Sequence, residues 1–327
     1  MTGLHGWLIL DKPLGLGSTQ GVSAVKRALR AAGYDASKRG IKVGHGGTLD
    51  PLATGVLPIA LGEATKLAGR MLDSDKVYDF TIGFGVETDT LDLEGKVIAQ
   101  SAVRPTLAQV EAVLPRFTGP IEQVPPAYSA LKIDGERAYD LARAGAEVVL
   151  AGRSIIIHNL FVRHPGRVPG STPQHVATLQ AEEWTPEHVR GDEVESITLT
   201  AHVSKGTYIR SLARDIARAL GTVGHVTMLR RIKAGPFTLD HAISLDKLAD
   251  FGNARTLEHN LLPLRAGLDD IPALSLSPDQ AGLLRQGRVL IGIAADDGHY
   301  FAMLDESPVA LVEVQDREVR VIRGFNL

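Results

Sequence analysis

The stretch "KVGHGGTLDPLATGVLPIALGEATK", residues 42–66, places one carboxylate, Asp50, between a glycine-rich turn and a long apolar run. Asp50 is followed by Pro51, and this order is typical of a helix start, with Asp as the cap and Pro at the first helical position. A carboxylate in this setting can also bind a metal ion or act as a nucleophile. The stretch by itself leaves these three roles open.

Glycine occupies three of the four positions around His45, namely Gly44, Gly46 and Gly47. Glycine lets the backbone approach a flat or bulky ligand closely, so this run favours a binding role. Metal binding is the poorer alternative, because His45 and Asp50 have no third ligand of the usual kind nearby in the sequence. We therefore predict no metal site.

The composition is that of an ordinary globular enzyme, with 327 residues, 44% hydrophobic and 22% charged. The length suggests two domains. The chain has no cysteine, which excludes disulfides, thiolate zinc sites and a cysteine nucleophile. The opening "MTGLHGWLIL" is too short to span a bilayer and carries no export signal, so we expect a cytoplasmic protein without a membrane partner.

The net charge is only −3, but the cations are concentrated in two segments, 12–46 and 204–233. Each segment holds seven lysines or arginines against one acid: Lys12, Lys26, Arg27, Arg30, Lys38, Arg39 and Lys42 in the first, and Lys205, Arg210, Arg214, Arg218, Arg230, Arg231 and Lys233 in the second. If folding brings the two together, they form a polyanion-binding face. The alternative is two solvated helix faces.

Periodicity and turn residues predict the main elements. Strands are expected at 7–12, 77–86 and 196–204. Helices are expected from a cap at Ser18 or Thr19 to about Ala31, at 63–72, and over 106–117 with Thr106 as the cap. A helix after residue 207 carries Arg210, Arg214 and Arg218 as one basic stripe, and 309–325 is expected to form a β-hairpin.

Three further segments are interpreted as structural. The acidic segment 83–95 is a turn, because its spacing fits neither a dinucleotide site nor a calcium loop. The segment 11–19, "DKPLGLGST", lacks the ending of a phosphate loop and is predicted to be a rigid turn supporting a neighbouring loop. Residues 162–194 are rich in Pro and Gly and are predicted to be a surface insertion.

Four blocks of the chain resemble the bacterial-type pseudouridine synthases of the TruB family, which modify uridine 55 in the T-loop of tRNA. They are "GHGGTLDPLATGVLPIALGEATK" (44–66), "DKVYDFTIGFGVETDT" (75–90), "VSKGTYIRSLARDI" (203–216) and "GHVTMLRRIKAGPF" (224–237), and they occur in the family's order. The resemblance implies an α/β (α+β) catalytic domain with a mixed, mainly antiparallel sheet over 1–265. It also implies a small PUA-like RNA-binding β module over 270–327.

The resemblance also implies roles for particular residues. Asp50 is the catalytic carboxylate, Tyr78 stacks on the target base and takes part in proton removal from its C5, and Arg210 pairs with Asp50 and keeps it ionised. Lys12 and Pro13 support the catalytic loop. Candidate substrate-binding residues are His45, Gly46, Gly47, Lys205, Tyr208, Leu229 and Arg231; of these, Leu229 lines the base pocket and His45 helps to displace the target nucleotide. The family more commonly has Thr or Ser where this chain has Gly46, so this chain lacks the hydroxyl that those members carry there.

The implied reaction breaks the N1–C1′ bond of uridine, turns the base and rejoins it through C5. No cofactor and no metal is required, and the expected partner is the T-arm of tRNA, with a monomeric enzyme and no obligate protein partner. The carboxylate must stay ionised while shielded from water, and a neighbouring cation opposes the effect of burial on its pKa. The alternatives are a non-catalytic module that binds or folds tRNA, and a hydrolase that releases free uracil.

Overall fold

The computed structural model describes residues 4–37, 40–129, 131–133, 135–144, 146, 148, 150–163, 192–268 and 270–327. The chain divides into two compact units: unit 1 comprises Met1–Ser74 and Lys233–Leu327, and unit 2 comprises Asp75–Ile232. Lys38, Arg39 and most of the predicted insertion, residues 164–191, lie outside the described residues. Among the residues described, no helix is both long and apolar enough to cross a membrane.

The first half of unit 1 is built on two buried antiparallel strands. Its elements are β1 (Gly6–Lys12), α1 (Ser18–Ala31), β2 (Val43–His45), β3 (Ala53–Leu61), a 3₁₀ turn (Gly62–Leu67) and α2 (Ala68–Asp73). Strand β3 pairs along its length with β1 and at its far end with β2. The strand predicted at 7–12 and the helix predicted to end near Ala31 are confirmed.

Unit 2 is a sheet with the strand order β12–β4–β11–β10–β7. Its elements are β4 (Lys76–Phe84), β5 (Val86–Thr88), β6 (Val97–Gln100), α3 (Leu107–Val113), a 3₁₀ turn (Leu114–Phe117), β7 (Gly119–Gln123), β8 (Lys132–Ile133), β9 (Glu136–Arg137), α4 (Ala138–Arg143), β10 (Arg153–Val162), β11 (Ser196–Val203), α5 (Ile209–Ala219) and β12 (Gly224–Ala234), which ends in unit 1. The pairs β4–β11, β11–β10 and β10–β7 are antiparallel.

One face of this sheet packs on α5. Side chains alternate along a strand, so Phe80 and Ile82 of β4 lie on the same face as Leu199 of β11, and they form one core cluster with Leu212 and Ile216 of α5. Helix α3 begins as predicted, with the Thr106 hydroxyl accepting a hydrogen bond from the Gln109 amide. The strand at 196–204 and the helix after residue 207 are also confirmed.

The second half of unit 1 first adds a strand beside β1 and then forms a separate sheet. Its elements are β13 (Phe237–Thr238), a 3₁₀ turn (Leu239–His241), β14 (Ala242–Ile243), α6 (Leu245–Ala254), 3₁₀ turns at Leu257–Asn260 and Leu264–Gly267, β15 (Ala273–Ser275), α7 (Pro278–Arg285), β16 (Leu290–Ile291), β17 (Gly298–Leu304), β18 (Ser307–Gln315) and β19 (Glu318–Gly324). Strand β14 pairs in parallel with β1. The second sheet has the order β15–β17–β18–β19–β16, and its β18–β19 pair is the predicted hairpin.

The second sheet packs on the rest of unit 1. Phe301, Met303 and Phe325 belong to the same buried cluster as Trp7 of β1 and Leu264. The domain division into 1–265 and 270–327 stays a prediction.

Glu63 ties the end of the chain to the first half of unit 1. Its carboxylate accepts a hydrogen bond from the Asn326 amide at 2.8 Å and lies 2.6 Å from the Lys66 ammonium, which itself donates to the Gly324 carbonyl. Burial by itself raises the pKa of Glu63, but the hydrogen bonds from Lys66 and from the Asn326 amide bring it below its ordinary value.

Candidate active site

The turn after β1 holds the main chain next to Asp50. Lys12 is fully buried, and its ammonium donates to the carbonyls of Pro13, Leu16 and Pro51 at 3.1, 2.6 and 3.2 Å. The Gly15 amide donates to the same Pro51 carbonyl at 2.9 Å. A buried ammonium requires acceptors of this kind, so Lys12 joins the turn to the residue that follows Asp50. This geometry favours the supporting role that the resemblance implies.

Ser18 holds the residue that precedes Asp50. Its hydroxyl donates to the Leu49 carbonyl at 3.0 Å and accepts from the Leu49 amide at 2.8 Å, and both bonds are buried. The predicted cap at Ser18 or Thr19 is therefore wrong. Helix α1 begins at Ser18 with Gly17 as its N-cap, because the Ser18 hydroxyl is used to anchor the neighbouring loop.

Asp50 does not begin a helix. The Ala53 amide donates to the Asp50 carbonyl at 3.0 Å, and the turn at 51–52 leads directly into β3. Of the roles left open for Asp50, the helix start does not form, and the Asp–Pro order is equally favourable here because proline suits the second position of a β-turn as well as a first helical turn. The run that follows is a buried strand. Asp50 is half-buried at the end of the loop.

Positions 46 and 47, in the loop before Asp50, favour glycine for different structural reasons. Gly46 is packed against α2, and a Cβ atom there would lie only 2.7 Å from Cβ of Met71. Gly47 has φ +129°, a conformation that favours glycine. At Gly44, by contrast, an added Cβ would meet no atom within 4 Å. The hydroxyl residue that the family commonly has at position 46 would not fit here unless α2 or the loop moved.

The remaining candidate residues belong to unit 2. Tyr78 is half-buried on β4 and packs against the core cluster that contains Phe80, as does Leu229 of β12. Tyr208 is the N-cap of α5; its amide donates to the Gln123 side chain, and the Arg153 guanidinium lies 5.3 Å from its ring centre.

The other two cationic candidates differ in exposure. Lys205 is exposed, whereas Arg231 is only 1% exposed. Burial favours a supporting role for Arg231 over a direct contact with phosphate.

Arg210 is held by the acidic turn of unit 2. It is 8% exposed and donates to the carbonyls of Thr90 and Tyr128 at 2.9 and 3.0 Å. Its Nη1 also lies 3.3 Å from a carboxylate oxygen of Asp92, and Asp92 in turn accepts from the Thr90 hydroxyl and the Glu94 amide. The sequence does not identify Asp92 as this partner, because no motif links it to Arg210 and the spacing of the acidic segment 83–95 predicts only a structural turn.

The comparisons with known proteins agree over nearly the whole chain. Residues 34–168 match the TruB family pseudouridylate synthase N-terminal domain, and residues 210–269 match the tRNA pseudouridylate synthase B C-terminal domain. The tRNA pseudouridine synthase B of Novosphingobium aromaticivorans is 62% identical over 326 residues, covering 99% of this chain and 98% of that protein. The chain belongs to the TruB family of pseudouridylate synthases. The protein of the same name from Zymomonas mobilis is 57% identical, with 99% and 96% covered.

Solved structures match the fold of the chain. A chain of the archaeal box H/ACA sRNP Nop10–Cbf5 complex matches with a TM-score of 0.66 at 20% identity, covering 99% of this chain and 86% of that one. A chain of a Cbf5–Nop10–Gar1 complex matches with a TM-score of 0.67 at 23% identity, with 99% and 85% covered. At such identities the likeness concerns the fold alone. The predicted fold class and the predicted family are confirmed.

Within this TruB-family chain the candidate residues form two described groups. His45, Gly46, Gly47 and Asp50 share one loop of unit 1, and Tyr78, Lys205, Tyr208, Arg210, Leu229 and Arg231 belong to unit 2. The pairing of Asp50 with Arg210 stays a prediction.

The predicted basic stripe of α5 is largely compensated by acids of unit 2. Besides the Arg210–Asp92 contact, Arg214 lies 2.8 Å from Asp215, and Arg218 lies 2.7 Å from Glu87. The stripe therefore offers phosphates less charge than a count of its arginines indicates. A joint polyanion-binding face of the two basic segments stays a prediction.

Proposed function

We propose that this TruB-family protein isomerises uridine to pseudouridine at position 55 in the T-loop of tRNA. The observation that carries the proposal is 62% identity, over 99% of the chain, to a protein named tRNA pseudouridine synthase B. The built loop around Asp50 supports it, because Lys12 and Ser18 hold the main chain on both sides of this carboxylate. A protein that only bound RNA would not need an acid placed so rigidly among phosphates.

Asp50 is the proposed catalytic carboxylate. Cleavage of the N1–C1′ bond develops positive charge on the ribose, as in glycoside chemistry. An ionised carboxylate either attacks C1′ or stabilises that charge and removes the 2′-proton, and both routes use the same group. In this proposal Arg210 is the cation that keeps Asp50 ionised, and Tyr78 stacks on the uracil and assists proton removal from C5. The substrate-binding roles of His45, Gly46, Gly47, Lys205, Tyr208 and Leu229 are proposed from the same resemblance. The resemblance also implies such a role for Arg231, and because this side chain is buried we propose that it supports the binding residues from within.

The proposed substrate is the T-arm of tRNA. A base whose C1′ and C5 both react must leave the stack, at a cost of a few kcal/mol that aromatic stacking partly offsets. Contacts of lysines and arginines with phosphates make the affinity fall steeply with salt. We propose that residues 270–327 add an RNA-binding PUA-like module. Bacterial tRNA is cytoplasmic, so the enzyme acts there, as a monomer with no obligate protein partner.

The test uses a T-arm RNA that carries tritium at C5 of its uridines. Pseudouridine formation replaces the C5–H bond and releases the tritium to water. We expect steady release by the wild type, and a rate lower by about 10²–10⁴-fold for Asp50→Asn, with RNA affinity unchanged. Asp250→Asn is the matched control, because Asp250 is an exposed carboxylate of α6 in the same unit; its rate should equal that of the wild type.

Product analysis separates the alternatives. Pseudouridine in the digested RNA supports the proposal, whereas free uracil would identify a hydrolase. RNA that is bound tightly but recovered unchanged would overturn the catalytic proposal in favour of a tRNA-binding or tRNA-folding module. Full activity of Asp50→Asn would refute the assignment of Asp50 and leave the activity to other residues.

A further inference from the structure

Asp75, His158 and His202 converge on one face of the unit 2 sheet, opposite Tyr78, near the start of β4 and the end of β11. We propose that these three side chains bind a divalent transition-metal ion of the zinc class. This inference goes beyond the proposed function, because the metal would join strands of the fold and would not act on the RNA base.

The strand register places the three residues together. Val203 of β11 pairs with Lys76 of β4, and His202 pairs with Val77. Because side chains alternate across a strand, His202 and Asp75 both lie on the face away from the core cluster that Tyr78 joins. The β10–β11 pairing shifts by one residue between Ile157 and Asn159. This bulge inserts His158 as an extra residue beside His202.

The distances suit one small ion. Nε2 of His158 lies 3.1 Å and Nε2 of His202 lies 3.6 Å from the same Asp75 oxygen, Oδ2. One ligand atom from each of the three residues lies within 4.8 Å of the other two. A tetrahedral ion with metal–ligand bonds of about 2.0–2.1 Å keeps its ligand atoms about 3.3 Å apart. Small rotations of exposed side chains therefore suffice to bring the three atoms onto one ion.

The ligand chemistry selects the class of metal. Two imidazoles and one carboxylate are ligands that Zn²⁺ and neighbouring transition metals prefer, whereas Mg²⁺ and Ca²⁺ prefer oxygen alone. Three protein ligands leave a position for water. Asp75 and His158 are exposed and His202 is half-buried, so the ion can enter from solvent. The two imidazole rings lie 4.7 Å apart at 43°, and hence do not stack face to face.

One bound ion would link three strands of the unit 2 sheet. Asp75 immediately precedes β4, His158 forms the bulge of β10, and His202 is next to the end of β11. An ion that binds only the folded arrangement raises stability by mass action. We therefore expect Zn²⁺ to raise the unfolding temperature of the protein.

The test titrates the chelator-treated protein, residues 1–327, with Co²⁺ and follows heat release and the visible absorption of four- or five-coordinate cobalt. We expect one Co²⁺ per chain. His158→Ala and His202→Ala should each lose at least about tenfold in affinity, since even loss of a residue that only orients a ligand costs 10–100-fold. Asp75→Asn, which keeps the side-chain volume, should also bind more weakly.

The matched control is His299→Ala. His299 is an exposed histidine whose Nε2 lies 3.8 Å from the Glu313 carboxylate, but within the described ranges this pair belongs to no group of three candidate ligands. Its variant should bind Co²⁺ as the wild type does. Equal affinity of all variants, or no saturable binding by the wild type, would overturn the proposal and leave Asp75 as a hydrogen-bonding partner of the two histidines. Circular dichroism shows whether each variant is folded. If an alanine variant is not folded, the Co²⁺ affinity of Asp75→Asn decides whether these side chains bind the ion.

Discussion

Replacing Gly46 by serine tests whether the loop before Asp50 is fixed by its packing against α2. The new Cβ would lie 2.7 Å from Cβ and 3.0 Å from Cγ of Met71, well inside the contact distance of about 3.5–4.0 Å between carbon atoms. Met71 Cγ can move by a change of rotamer. Its Cβ cannot, because it is fixed to the backbone of α2. Either the helix or the loop must therefore shift.

The cost follows from overpacking, which destabilises a core by about 1–3 kcal/mol. In a domain of about 150–250 residues, 1 kcal/mol lowers the unfolding temperature by about 2–4 °C. We therefore expect Gly46→Ser to lower the Tm of unit 1 by about 2–12 °C. If the loop shifts by about 1 Å, the rate of tritium release should fall by about 10²-fold. Thermal unfolding by circular dichroism and the tritium assay measure the two effects.

Gly44→Ser is the control, because an added Cβ at Gly44 meets no atom within 4 Å. It should change stability by less than about 0.5 kcal/mol. The double variant Gly46→Ser/Met71→Gly lacks both Met71 atoms that clash with the new Cβ. Its loss of stability should be smaller than the sum of the losses of the two single variants. The reasoning is refuted if Gly46→Ser melts at the same temperature as Gly44→Ser and keeps wild-type activity.

Three further predictions concern other contacts of the same units. Ser18→Ala removes both hydrogen bonds to the Asp50 loop, so it should cost about 1–3 kcal/mol of unfolding free energy and slow tritium release. Ser23→Ala removes an exposed hydroxyl of the same helix and should change neither quantity. Equal effects of the two substitutions would contradict the anchoring role of Ser18. Arg210→Met leaves Asp92 buried without its cation and should lower the unfolding free energy, measured by urea denaturation, by about 3–5 kcal/mol. The double variant Arg210→Met/Asp92→Leu should recover part of this loss. Strictly additive effects of the two substitutions would show that Arg210 and Asp92 do not interact. The lowered pKa of Glu63 means that its carboxylate stabilises the fold above its unfolded value of 4.5 and loses this effect as pH falls through the folded pKa. The stability lost in Glu63→Gln should therefore be constant well above pH 4.5 and shrink as the pH falls below that value, and a difference that stays constant on acidification would exclude this linkage.

The elements with clear periodicity could be predicted from the sequence, and the long-range pairs could not. The strand at 196–204 alternates buried and polar residues, and Thr106 has its capping partner three residues on, so local rules were sufficient. The Arg210–Asp92 contact joins residues that only the fold brings together. The His158 bulge depends on a shift in strand register that the residues of β10 do not reveal. For the same reason the sequence does not reveal that Asp75, His158 and His202 lie together.

The turn that replaces a helix start at Asp50 also bears on the proposed role of this residue. A helix cap engages a carboxylate oxygen with the amides of the first turn, and the turn into β3 excludes that use. The loop is instead held through main-chain atoms on each side, by Ser18 at Leu49 and by Lys12 at Pro51. Both anchors act on the main chain of the residues next to Asp50, so they fix where the Asp50 backbone lies. A catalytic acid needs this arrangement, because its oxygens must meet the substrate while its position is set by its neighbours.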